Sequence, residues 1–179
     1  MKSSRIMLFS AWALAASAAL AQGSPSANAG PTDAQIAHIV VTANQVDIKA
    51  GKLAQSKGSD KEVKGFAKQM VTDHTGVNTQ ATALVKKLKV KPEDNPTSQS
   101  LLSGGEDNLK KLKALKGKNF DKAYIDNEVT YHQAVLDAID KTLVPNTKNE
   151  ELKGLIVKVR PAFVAHLEHA KMMQTSLSK

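Results

Sequence analysis

Between Ser59 and Lys89 the apolar residues Val63, Phe66, Ala67, Met70, Val77, Ala81, Leu84 and Leu88 recur at helical steps. That spacing places them on one face of an α-helix and excludes a strand, whose side chains repeat every two residues. The stripe would run roughly 45 Å at 1.5 Å per residue. An apolar face that long folds stably only against other helices. His74 lies within it, four residues after Met70 and three before Val77. An imidazole on an otherwise apolar face is what any functional reading has to explain.

The rest of the chain repeats the pattern. A first helix is predicted from Thr32, where Thr32 and Gln35 match a capping box, to Lys57-Gly58, with glycine suited to a left-handed stop. Its stripe is Ile36, Val40, Ala43, Asp47, Ala50 and Ala54. Ser59 with Glu62 predicts a second box at the start of the second helix. Pro92 to Pro96 then reads as an exposed loop, and Thr97 to Leu115 as a shorter helical segment that Gly104-Gly105 could kink or split. The next helix is predicted from Asn119 to Leu143, with Phe120, Tyr124, Glu128, Tyr131/His132, Val135 and Ile139 on its inner face. The last is predicted from Thr147, boxed by Glu150, with a kink before Pro161. Four long amphipathic helices joined by short loops predict an all-α, up-down four-helix bundle with a short extra helical segment between helices 2 and 3.

Residues 1–21 read as a secretory signal peptide. They combine a basic start, an apolar run of about 15 residues and the small-residue pair Ala19 and Ala21. That run is short of the roughly 20 residues a membrane-spanning helix needs. Residues 22–31 read as a flexible lead-in and 32–179 as the folded domain. The expected location is the bacterial periplasm or the medium, with no integral membrane span after signal cleavage. Cysteine is absent, which excludes disulfides, thiolate metal sites and a cysteine nucleophile. The net charge is +8, and removing Lys2 and Arg5 with the signal leaves +6. Such a surface could meet an anionic envelope surface. Nucleic acid is not an expected partner, because Arg160 is the only arginine beyond Arg5 and no aromatics interleave the lysines.

The inner stripes carry His74, His132 and His166 on three helices, with Glu128 one turn from His132 and Asp47 on the first helix. Imidazoles with a carboxylate make a reasonable set for zinc, copper or iron, and Met70 adds a soft donor one turn from His74. The preferred reading of the same residues is a buried hydrogen-bond network that fixes helix register, with Tyr124 and Tyr131 as partners. His38 and His169 fall outside the stripes and read as surface residues. No glycine-rich phosphate loop, nucleophile elbow or His-Glu-x-x-His motif occurs, so no ordinary hydrolase is indicated.

The run Phe66-Ala67-x-x-Met70-Val71-x-Asp73-His74-Thr75, then Phe120-Asp121-x-x-Tyr124, Tyr131-His132, and Leu167-x-x-Ala170 after His166, resembles the DUF4142 family. These are secreted bacterial proteins without an established function, placed in the ferritin-like group. The resemblance implies a ferritin-like bundle and adds no activity. A di-iron ferritin site takes a Glu from each of two helices and Glu-x-x-His from the other two. Here the first helix offers Asp47, Met70-x-x-Asp73-His74 lacks the Glu, and Glu128-x-x-x-His132 has the wrong spacing. Two readings result. One is a non-catalytic periplasmic bundle with a buried His/carboxylate layer, structural, stress-related or partner-binding. The other is a transition-metal-binding protein using His74, His132, His166, Glu128 and Asp47.

Overall fold

The structure, a computed structural model, describes residues 30–179. The predicted signal peptide, and all but the end of the predicted lead-in, lie outside the described residues. Five helices carry the fold: α1 Asp33–Lys57, α2 Lys61–Lys87, α3 Pro96–Ala114, α4 Gly117–Ala138 and α5 Glu150–Leu177. A π-helical turn, Ile139–Leu143, and a last helical turn, Val144–Asn146, extend α4. No strand occurs among the described residues. None of their helices is long and apolar enough to cross a membrane.

Local chemistry sets the boundaries. Thr32 caps α1 as predicted, its side chain accepting from Gln35 N while Gln35 bonds back. Gly58 ends α1 without the expected left-handed turn, at φ −55°. It is needed for close approach instead, since a Cβ there would lie 2.8 Å from the Ala54 carbonyl oxygen. The box predicted from Ser59 is not formed. Asp60 caps α2, accepting from Glu62 N and Val63 N, while Ser59 is drawn to Asp121. Thr147 likewise gives way to Asn149 as the cap of α5. The loop before α3 is less free than expected, because Asn95 is buried, caps α3 and donates to the Gln35 carbonyl. α3 is 19 residues long and unbroken at Gly104-Gly105. α5 also continues through Pro161.

α1 packs on α2, α2 on α5, α5 on α4 and α4 on α1, which closes a ring; α3 lies against α1 and touches α4. Two apolar clusters fill the ends. One contains Ala50, Ala54, Phe66, Met70, Phe120, Tyr124 and Ala170. The other contains Ile36, Val40, Ala81, Val85, Ile139, Leu152 and Ile156. The order in which each helix meets these clusters gives its direction. α1 and α5 run from the second cluster to the first, and α2 and α4 from the first to the second. A simple up-down succession of the four long helices is therefore not what forms. α3, with Leu101 beside the second cluster and Leu112 in the first, carries the chain back along the molecule, so α4 is parallel to α2. Between the clusters, every helix of the ring contributes a polar group.

Candidate metal centre

That middle layer holds Asn44 and Asp47 from α1, His74 from α2, Glu128 and His132 from α4 and His166 from α5, all buried. The three imidazole rings form a nearly equilateral triangle, with centroid separations of 5.5, 5.4 and 5.4 Å. One ring nitrogen of each lies within 4.8 Å of the others, and one atom each of Asp47, Glu128 and His132 are equally close together. All five residues singled out in the sequence thus fall in one place, joined through His132.

Each histidine is held at one nitrogen by an acceptor. Asn44 donates its amide to the Val40 carbonyl, which turns its Oδ1 to His74 Nδ1 at 2.8 Å. The backbone carbonyl of Glu128 takes His132 Nδ1 at 3.0 Å. The Asp73 carboxylate takes His166 Nε2 at 2.9 Å. An acceptor on one nitrogen of a neutral ring puts the proton there and the lone pair on the other. The lone pairs then belong to His74 Nε2, His132 Nε2 and His166 Nδ1, and these buried atoms have no hydrogen-bond partner. Asp47 Oδ2 stands 3.4 Å from His74 Nε2 and 3.7 Å from His132 Nε2. The oxygens of Asp47, Glu128 Oε2 and the Tyr124 hydroxyl have no partner outside their own group of three, where only a proton on one of them can join it to another.

Burial sets the charges. It pushes His74 well below the ordinary histidine value, helped by the neighbouring His132 and His166. It takes His132 down to about 4, with His166 adding to the effect. His166 is also lowered by burial, although Asp73 opposes the shift. All three rings are neutral near pH 7. Burial raises Asp47 to about 7 and Glu128 well above its ordinary value, the latter reinforced by the Asp47 charge.

The network predicted from the sequence is therefore incomplete. Tyr131 sends its hydroxyl to the Ala43 carbonyl rather than to a histidine. Lone pairs and carboxylate oxygens face one another, with only the protons of Asp47, Glu128 and Tyr124 to relieve them. An unsatisfied buried polar atom costs about 1–3 kcal/mol. A cation placed among several such atoms would satisfy them together.

His38 and His169 lie apart from this layer. His38 is half-buried between Ser98 and Asp94, and the His169 ring packs edge-on against Phe66. Three participants escaped the sequence reading: Asn44, Asp73 and Phe163, whose ring lies 4.9 Å from that of His74. Asn44 carried a faint signal, one turn before Asp47 on the same helix face. Asp73 carried none, because its partner is on another helix.

No curated protein matches the chain. A solved structure described as "CopM in the Cu(II)-bound form" is similar in fold, with a TM-score of 0.65 and 16% sequence identity, over 82% of this chain and 98% of that one. The family described as "Domain of unknown function (DUF4142)" matches residues 16–173. The chain belongs to the DUF4142 family.

Proposed function

We propose that this protein binds one divalent transition-metal ion, Cu(II) in preference to others, in the layer formed by His74, His132, His166 and Asp47, with Glu128 bordering it. The observation that carries the reading is that three buried imidazoles from three helices bring a ring nitrogen each within 4.8 Å of the others, beside Asp47 of a fourth, while each ring is held by an acceptor at one nitrogen and lacks a partner at the other. Metal-ligating histidines are held in that way. Three imidazoles and a carboxylate without thiolate suit Zn(II) and Cu(II), and the Irving–Williams order favours Cu(II). Nitrogens up to 4.8 Å apart must draw together by about 1 Å to reach bonds near 2.0–2.1 Å. The neighbour of similar fold was solved with Cu(II) bound, which supports a copper reading for this architecture.

The arrangement of α1, α2, α4 and α5 is, in this proposal, a ferritin-like four-helix bundle with α3 as its crossover. The bundle holds an ion and does not turn over a substrate. Export to the periplasm is part of the proposal, supported by the basic-apolar start that ends at Ala19 and Ala21. Protein purified without an affinity tag should carry or take up close to one equivalent of metal. His74→Ala should abolish the uptake. A metal-free protein whose melting temperature is unmoved by Cu(II), Zn(II) and Fe(II) would dispose of the reading.

A further inference from the structure

A second feature of the fold borders the polar layer, meeting it at Asn44 and Phe163. Between α3 and α4 lies a slot of about 480 Å³, within the range of small-molecule sites. Its α3 lip is Thr97, Ser100, Gly104 and Asn108, one helix face extending about 16 Å at 1.5 Å per residue. The facing lip on α4 is Asn127, Thr130, Ala134 and Ala138, at the same helical spacing. The floor is largely aliphatic, with Ile39, Val40, Val46, Ile139, Ile156 and Val159. No charged side chain lines it, in a chain that is 23% charged.

The slot is held open by adjacent glycines with opposite roles. A Cβ on Gly105 would meet Val46 Cγ1 at 2.8 Å, so glycine there lets α3 lie tightly on α1. A Cβ on Gly104 would meet nothing within 4 Å, so this position could carry a large side chain and fill the gap. Good packing would favour such a residue, since apolar voids destabilise and water finds few partners in them. Its lining is mostly aliphatic, and its polar groups are neutral: those of α3 and α4 stand at the lips, while buried Asn44 and half-buried Tyr131 lie on the inner side beside the Phe163 ring.

We propose that this slot binds a single alkyl chain, the tail of a fatty acid, with the head group left in water at the lips. An extended chain matches the length of the slot, and the lack of charged walls leaves no site for an ionic group inside. The slot touches the metal layer at Asn44 and Phe163, but binding of the chain needs no bound ion.

The test is calorimetric titration of the metal-free protein with dodecanoate and with dodecanol, each below its aggregation limit. Both should bind once per chain with similar affinity. Gly104→Leu should weaken both at least tenfold while raising the melting temperature, because leucine is the better helix former. Ala134→Phe should block the slot from the opposite lip, should the first variant fold poorly. Absence of saturable binding to either probe, or undiminished binding by both variants, overturns the proposal. Binding of dodecanoate alone that disappears in high salt assigns the effect to surface lysines and also overturns it. So does a dimer that Gly104→Leu dissociates, which would give the slot to a second copy.

Discussion

Three imidazoles are each engaged at one nitrogen and free at the other, and their tautomers follow from acceptors that cannot donate. Removing an acceptor frees the ring. Asn44→Ala should weaken metal binding about 10–100-fold without removing a ligand, as read by competition against a chelator of known affinity. The carboxyls make a second prediction. The folded pKa of Asp47 is raised from 3.8 to about 7, so its contribution to stability falls as pH rises through that window. The folded pKa of His132 is lowered from 6.5 to about 4, so its contribution is lost as pH falls through that range. In the metal-free protein the two slopes oppose each other. Asp47→Asn removes the first, so its stability should climb from pH 4 to 6.5 more steeply than the wild type's. Above pH 7 it should be the more stable protein while binding metal poorly. Urea midpoints measured across pH would show both effects, and parallel profiles would contradict the assignment. The histidines were legible in the sequence because each interrupts an apolar stripe. Asn44, Asp73 and Phe163 were not, because each acts on a histidine ring carried by another helix, which linear spacing does not reveal.

At the scale of elements, periodicity located the helices and cap chemistry only partly located their ends. Thr32 behaved as a lone local signal should. Ser59 and Thr147 did not, because distant or preceding groups claim their side chains and a better cap stands one or two residues on. The Thr147 hydroxyl donates to the Leu143 carbonyl and leaves Asn149 to cap α5. Ser59 is held through its backbone N–H and hydroxyl by the Asp121 carboxylate, which also accepts from Asp60 N at 2.9 Å. Asp121, at the start of α4, therefore fastens the turn between α1 and α2. It is buried, so Asp121→Ala leaves those donors unpaired and should cost about 2–3 kcal/mol. Chemical denaturation would measure that loss. Metal affinity should stay within about twofold of wild type, because neither Asp121 nor Ser59 belongs to the imidazole layer.

For the whole molecule, the closed ring of α1, α2, α5 and α4 puts at least one polar group from each helix between two apolar clusters. The direction of α4 was not legible in the sequence. Loop lengths suggested simple alternation of four helices, whereas α3 spans the molecule and acts as a full crossover. An ion in the central layer would tie all four helices together. Cu(II) at about a hundred times its dissociation constant should add about 2.7 kcal/mol. In a domain of this size that is a rise of about 5–10 °C in melting temperature. The rise should be absent from His74→Ala. If the layer is a metal site, the three free imidazole nitrogens share one ion. Electron paramagnetic resonance of the protein loaded with one equivalent of Cu(II), made with and without nitrogen-15 histidine, tests it most directly. A single copper species is expected, whose nitrogen couplings change with the isotope and are lost in His74→Ala. Copper coupled to no histidine nitrogen, or bound identically by wild type and His74→Ala, would contradict it.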